Sequence, residues 1–364
     1  MTRLRTRLTD RLQIVHPVIQ AGMAGGVTTP ELVAAVSNAG GLGTLGAGYM
    51  NAKQIESAVA RIRVMTDRPF GVNLFIPEPF RIDREEIDAM QRVLSPLRQE
   101  LGVESSPDAG DSEPFAESFD EQIAMVVDQK IPVFSCTFGV PGPTVVQRLK
   151  RAGICVMGTA TTVREGVTLE QAGVDVIVAQ GSEAGGHRGT FAHAEENALI
   201  GTLALVPQMV DAVSVPVVAA GGVMEGRGLA ACLVLGAEGV QMGTAFLACP
   251  ESGAHRVYKE TLLATSEDST ALTRVYSGKA ARGIVTEFMR RMASYGGRIP
   301  PYPVQNALTR GIRAAAARAD NPAFMALWAG QGVRMAGRLP AFAVVEQTVR
   351  EAAAALQARI PAVD

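Results

Sequence analysis

Short apolar runs alternate with amphipathic stretches along most of the chain. The apolar runs occupy 18–23, 42–47, 70–75, 133–138, 154–159, 174–180, 216–220 and 239–243. Between them, apolar residues recur at helical spacing in 30–38, 52–65, 143–152, 162–172, 205–213 and 228–235. Near-continuous apolar strands separated by helices predict parallel βαβ units, because such strands are covered on both faces. Eight units predict an α/β fold of the closed (β/α)8 TIM-barrel kind, with a doubly wound open sheet as the alternative.

Two segments break this rhythm. Residues 77–117 are rich in Pro, Glu, Asp and Ser, with one predicted helix at 84–100 and a polar stretch at 104–117. They read as an insertion after the third strand. Residues 251–320 lose the barrel pattern, and Arg-rich helices and the turn Arg298-Ile-Pro-Pro-Tyr-Pro303 predict a mainly helical cap. Helix is expected again over 321–336 and over the alanine-rich 340–358. The expected plan is therefore a barrel from 1–76 and 118–250, completed by 321–364, with an insertion at 77–117 and a cap at 251–320.

Length agrees with this plan, since 364 residues exceed the roughly 250 of a bare barrel by about a hundred. Hydrophobic residues make up 47% of the chain and aromatics only 5%, so the core must be aliphatic. A net charge of −2 gives no reason to expect nucleic acid or an anionic membrane as partner. The basic N-terminus leads into Asp10, Arg11 and Gln13 rather than an apolar signal segment, so a cytoplasmic location is expected. Cys136, Cys155, Cys232 and Cys249 stand far apart, with no Cys or His at zinc-ligand spacing, and read as reduced thiols. No His/Asp/Glu cluster suggests a catalytic metal, and no Gly-x-Ser-x-Gly elbow suggests a serine hydrolase.

In barrels of this kind the active site lies at the carboxyl ends of the strands. The first strand ends in Ala21, Gly22 and Met23, the third near Asn73, and the sixth in Gln180-Gly-Ser-Glu-Ala-Gly-Gly-His-Arg-Gly189. The seventh ends in Ala219-Ala-Gly221-Gly222 and the eighth in Gln241, Met242, Gly243 and Thr244. Paired glycines ahead of helix N-termini let backbone N–H groups approach an anion, which reads as a phosphate site. Asn73 and Gln180 are amides at buried strand ends and need partners, either the edge of a flavin ring or a network in the barrel core. His187, among glycines 185, 186 and 189, lies on no apolar helix face and is the candidate proton-transfer or anion-stabilising group. Arg188 either attracts an anion or faces solvent. His16, His193 and His255 read as structural or surface residues.

At these residues the sequence resembles the nitronate monooxygenases, once called 2-nitropropane dioxygenases. The matching segments are Pro17 through Gly26, Ala34 through Gly43, Pro69 through Phe75, Gln180 through Gly189, Ala219 through Gly222 and Val240 through Phe246. The likeness continues through Tyr276-Ser-Gly-Lys-Ala-Ala-Arg-Gly283 and Trp328-Ala-Gly-Gln-Gly332. The resemblance implies non-covalent FMN, with Ala21, Gly22, Met23, Asn73, Gln180, Gly185, Gly221, Gly222, Gln241, Met242, Gly243 and Thr244 around it. It implies His187 as the catalytic histidine, with Ser277 and Tyr302 near the substrate. The implied reaction is oxidation of an alkyl nitronate by O2 to a carbonyl compound and nitrite. The implied partners are a small nitronate or nitroalkane and O2, with a homodimer left open. One departure stands out. Where some members carry a second tyrosine and a lysine after the position of Tyr302, this chain has Val304-Gln-Asn-Ala-Leu308. Related barrels reduce enoyl thioesters or quinones with NAD(P)H, and a non-catalytic flavin-binding protein is the remaining alternative.

Overall fold

A computed structural model describes residues 4–103, 115–192 and 198–358. Eight parallel strands form its centre. They are β1 (Val18–Gln20), β2 (Gly43–Gly46), β3 (Phe70–Phe75), β4 (Val133–Thr137), β5 (Cys155–Ala160), β6 (Val176–Gln180), β8 (Val217–Ala220) and β9 (Gly239–Met242). β7 (Gly186–His187) lies outside this sheet. The spatial order is β1-β9-β8-β6-β5-β4-β3-β2, and the bridge from Ile19 to Leu42 joins the two ends. The sheet is thus a closed barrel, as the eight apolar runs predicted, and the open-sheet alternative falls.

Side chains along each strand alternate between two cores. In β6, Val176 and Val178 pack inside the barrel while Ile177 and Ala179 face the surrounding helices. This is the period-two geometry of a strand. Helix α1 (Arg7–Leu12), absent from the sequence reading, plugs the amino end of the barrel with Leu8 and Leu12. The outer layer comprises α2 (Pro30–Asn38), α3 (Ala52–Met65), α5 (Phe119–Asp128), α6 (Pro143–Arg151), α7 (Val163–Gln171), α8 (Thr202–Ala212), α9 (Gly226–Val234) and α14 (Ala341–Ala358). The last of these packs on α9 and α2 and covers the seam between the chain's two ends.

A third cluster forms the cap. It joins α4 (Arg84–Glu100) of the expected insertion to α11 (Arg256–Leu263), α12 (Glu287–Met292) and α13 (Val304–Arg318). Ile87, Met90, Leu94 and Leu97 of α4 share one core with Phe288, Leu308 and Ile312. The insertion and the cap therefore pack as one layer. The polar stretch at 104–117 lies mostly outside the described residues.

Two expectations need correction. Residues 321–336 are not a helix. Only the short turns Pro322–Phe324 and Val333–Met335 are helical, both of 3-10 type. The backbone between them bonds elsewhere. Leu327 O accepts from Ile284 N, Ala329 N donates to Arg282 O, and Gln331 N donates to Glu183 O. The cap also contains strands that the sequence reading missed. β10 (Thr270–Thr273) and β11 (Ala281–Ile284) pair antiparallel, and β11 pairs in turn with β7. Four-residue strands such as Ala281-Arg-Gly-Ile284 carry no clear alternation, so periodicity could not reveal them.

Helix α2 sits directly on β2. A Cβ built on Gly43 would lie 2.1 Å from the Val33 carbonyl oxygen and 2.7 Å from its Cα. These are backbone atoms, so no rotamer change relieves the contact. Gly43→Ala should cost about 1–3 kcal/mol, the range for overpacking a dense core. Urea unfolding checks this through the midpoint, with an unchanged slope showing that the denatured state is unaffected.

Candidate active site

The loop after β6 carries His187 out of the barrel and is held from several sides. Arg188 is fully buried. Its guanidinium donates to the carbonyls of Gly181 at 2.5 Å, Gln180 at 3.0 Å and Ala198 at 3.1 Å. It therefore neither faces solvent nor projects freely toward an anion, the two roles the sequence suggested. The Gln180 amide spans the same loop. Its Nε2 donates to His187 O at 3.1 Å and its Oε1 accepts from Gly189 N at 2.9 Å. Glu165, fully buried at the start of α7, accepts from Phe191 N, Ala192 N, Thr161 N and Thr161 Oγ1. Gly186 and His187 themselves pair with Arg282 and Ala281 of the cap.

These bonds place the His187 ring between barrel and cap. Phe138, Tyr302 and Trp328 surround it at centroid distances of 5.8, 6.2 and 5.4 Å. Its Nε2 lies 2.8 Å from Ser277 Oγ. That hydroxyl also lies 3.1 Å from Lys279 O, to which it can donate. With the Ser277 proton directed to Lys279 O the ring proton sits on Nε2, and with it directed to Nε2 the ring proton sits on Nδ1. Burial first, then the charges of Lys279 and Arg313, push the imidazole down to about 3 from an ordinary 6.5. The ring is neutral at any physiological pH.

Charged and aromatic groups complete the pocket. Lys279 Nζ pairs with Glu78 at 2.9 Å and sits 4.8 Å from the Phe138 ring centroid. Phe138 adopts φ +78°, unusual for a non-glycine, and is locked by its 4.7 Å contact with Phe75. Tyr49 packs against Phe75 and lies beside Tyr302. Burial raises the pKa of both tyrosines, so each remains a hydroxyl donor. Sequence reasoning named His187, Ser277 and Tyr302, and the structure brings the three together. It missed Tyr49, Phe138, Lys279, Glu78 and Arg313. Phe138 and Tyr49 follow strand ends and were within reach of the rule that barrel sites gather there. The others come from loops and helices without strand signals.

The remaining expected residues line the barrel mouth. Ala21, Gly22, Met23, Gln180, Gly221, Gln241 and Gly243 are partly exposed, above strands that are almost wholly buried. Gly221 and Gly222 take φ of +111° and +73°, a region that side chains disfavour. Helix α9 follows with no side-chain cap on its N-terminus. The short helix α10 (Thr244–Leu247) begins after Gly243, likewise uncapped. At α9 the first amide, Gly226 N, donates to Glu351 Oε2 at 3.2 Å, so the backbone of Gly221, Gly222 and Gly243 rather than the α9 terminus is what suits these strand ends to a phosphate. Thr244 Oγ1 accepts from Gly330 N at 3.0 Å and keeps its own proton to donate. Gly185 packs against the same turn, where a Cβ would lie 2.5 Å from Ala329 C. Met242 is buried under the mouth. The Asn73 amide donates to Ser135 Oγ at 3.1 Å and Thr137 Oγ1 at 3.3 Å, a network within the barrel. Gln241 carries the amide that no described side chain or backbone group engages.

Other residues stand apart from this site. His16 is buried at the amino end of the barrel, His255 caps α11 through its Nδ1, and His193 lies outside the described residues. Cys136, Cys232 and Cys249 are buried free thiols, and Cys155 is a free thiol partly buried. Among the described residues, no helix is long and apolar enough to cross a membrane.

Known proteins are similar to this chain in sequence and fold. The family model described as nitronate monooxygenase matches residues 5–351. A probable nitronate monooxygenase of Staphylococcus saprophyticus is 47% identical over 96% of this chain and 98% of its own. Its counterpart in Staphylococcus aureus strain N315 is 45% identical over 95% and 97%. Among solved structures, nitroalkane oxidase from Streptomyces ansochromogenes superposes with a TM-score of 0.89 at 42% identity, covering 97% of this chain and 99% of that one. FabK from Thermotoga maritima superposes with a TM-score of 0.76 at 31% identity, covering 97% and 98%. With a family model spanning nearly its whole length and relatives matched end to end, the chain belongs to the nitronate monooxygenase family of flavin-dependent oxidoreductases.

Proposed function

We propose that the protein holds one FMN at the barrel mouth and uses it to oxidise alkyl nitronates with O2 to a carbonyl compound and nitrite. The observation that carries this reading is the His187 imidazole beside that mouth, kept neutral by burial and the charges of Lys279 and Arg313 and hydrogen-bonded to Ser277. Gly221, Gly222, Gly243 and Thr244 would hold the phosphate, and Gln241 with the Asn73 side would meet the ring. Bound flavin supplies the electron transfer between nitronate and O2. The chain's own groups bind and orient the substrate. A nitronate has already lost its α-proton, so it needs only a positive field and hydrogen-bond donors. Lys279, Arg313, Tyr302 and Tyr49 supply these. A neutral nitroalkane must first lose that proton, and His187 Nδ1 is the acceptor.

The likeness to FabK favours a second reading, reduction of an enoyl thioester or quinone by NAD(P)H. Anaerobic mixing separates the two. Ethyl nitronate should bleach the flavin within seconds while NADH and NADPH leave it yellow. Rapid bleaching by NADH with no response to nitronates would replace the first reading by the second.

The cradle is tested at Gly243. A Cβ there meets only Ala21 Cβ at 3.6 Å and Met23 Sδ at 3.7 Å, and the backbone needs no left-handed φ. Gly243→Val should therefore fold normally yet fill the approach to the phosphate, weakening FMN about tenfold or more through the lost close contacts. Full flavin content in this variant would move the phosphate elsewhere.

His187→Asn removes the base and keeps a polar group of similar reach. With neutral nitroethane the loss in kcat/KM should be about 10²-fold or more, the usual scale of general-base catalysis. With preformed ethyl nitronate it should be far smaller. Equal losses would make the imidazole a positioning group for both substrates.

A further inference from the structure

Two buried polar side chains on α13 are turned toward the loop that carries Ser277. Gln305 and Thr309 lie one turn apart on the same helix face, and both are fully buried. Gln305 Nε2 donates to Val275 O at 2.7 Å. The nearest acceptor of Thr309 Oγ1 is Tyr276 O at 2.5 Å, against 3.2 Å to Gln305 O in its own helix. A threonine inside a helix ordinarily back-bonds to that preceding carbonyl, so its closer approach to another segment marks a contact between the two. Val275 O and Tyr276 O are the two carbonyls that precede Ser277, and no other group among the described residues donates to either. The turn closes on itself through Ser277 N and Gly278 N, which donate to Arg274 O at 3.2 and 2.8 Å. Gly278 presses it against the segment leading into α13, where a Cβ would lie 2.3 Å from Pro300 O. Turn and helix are packed as one body.

We infer that Thr309 and Gln305 are positioning residues for proton transfer at His187. By holding the Val275 and Tyr276 carbonyls they keep Ser277 between the imidazole and Lys279 O, and so leave Nδ1 open. The inference rests on the reading of His187 as the base toward neutral nitroalkanes. In that step the substrate's α-C–H bond breaks, its proton passes to Nδ1 and its electron pair stays on the nitronate. Nδ1 has a lone pair to offer only while Nε2 carries the ring proton, which requires the Ser277 hydroxyl to be directed to Lys279 O. The imidazolium formed then donates from Nε2 to the same hydroxyl, so one arrangement serves both states. Its weak link is the 3.1 Å from Ser277 Oγ to Lys279 O, because O–H···O bonds run about 2.5–3.0 Å. A small drift of the turn breaks that bond first and directs the hydroxyl to Nε2, 2.8 Å away. The ring proton then moves to Nδ1 and the base is closed. The two α13 contacts oppose this drift at the two residues just before Ser277.

The test reads the tautomer directly. The chain has four histidines, so nitrogen NMR on the flavin-loaded protein with labelled histidine, using His187→Asn to identify the signals, shows which ring nitrogen carries the proton. In the parent it should be Nε2. Thr309→Val keeps the side chain's shape and removes its hydroxyl. It should move His187 toward the Nδ1-protonated form and lower kcat/KM for nitroethane about tenfold or more, while ethyl nitronate, which needs no base, changes by less than about twofold. Thr309→Ser returns the hydroxyl and should recover both readouts. In a Ser277→Ala background Thr309→Val should add less than about twofold to the nitroethane loss, because its path through Ser277 is already cut. A parent protonated at Nδ1, an unchanged tautomer in Thr309→Val, equal losses on the two substrates, or a full further loss in the Ser277→Ala background would each overturn the inference. If the tautomer moves as expected but neither substrate bleaches the parent's flavin, the positioning stands and the nitronate reading falls. Should Thr309→Val melt early or lose flavin, Gln305→Met decides. Gln305 Oε1 is enclosed without a hydrogen-bond partner, so this variant removes an unsatisfied atom together with the donor. The same movement of the tautomer supports the inference, and a tautomer like the parent's, with fold and flavin intact, overturns it.

Discussion

A guanidinium buried at the carboxyl end of β6 organises the site. A charge removed from water is costly unless its donors are met, so Arg188 must gather carbonyl oxygens around it. It finds them on Gln180, Gly181 and Ala198, which lie on both sides of the excursion that carries His187. Satisfying one side chain thus closes the whole loop from β6 to Ala198. Gln180 and Glu165 then fix its interior, through His187 O and Gly189 N in one case and Phe191 N and Ala192 N in the other. The histidine stands on a frame with little freedom left, which is the condition for holding a reacting group in register.

The frame is shared between barrel and cap. β7 is two residues long and would be marginal alone, but its pairing with β11 ties the barrel loop to the cap's antiparallel sheet. The turn at 328–332 closes the arrangement from the other side. There Gly330 N donates to Thr244 Oγ1 and Gln331 N to Glu183 O. The cap is therefore more than a cover over a finished site. It supplies Ser277, which hydrogen-bonds His187 Nε2, and the aromatic wall of Tyr302 and Trp328.

Electrostatics follow from this enclosure. Lys279 and Arg313 lie near an imidazole that is largely removed from water, and both effects favour its neutral form. The same cations favour an anionic substrate. One arrangement thus keeps the base unprotonated and draws the substrate's charge toward it. The tyrosines contribute hydroxyls rather than charge, since burial holds their protons on.

The sequence by itself determined the barrel. Its eight strands alternate between two cores, and burial on both faces leaves an apolar signature that survives without any tertiary knowledge. The glycine pairs and His187 were legible for a related reason, because a barrel's chemistry gathers at strand ends that the pattern already marks. Tertiary structure decided the rest. The span 321–336 has helical composition, yet its backbone is drawn to Arg282, Ile284 and Glu183. Arg188 read as solvent-facing or anion-binding until its carbonyl partners were in view. Arg313 sits among the alanines and arginines of a cap helix, where nothing local separates it from Arg310 or Arg318. Its enclosed and unpaired Nε and its bonds to Asn306 arise only when α13 packs over the barrel mouth, since a side chain's partners are set by contacts between segments far apart in sequence.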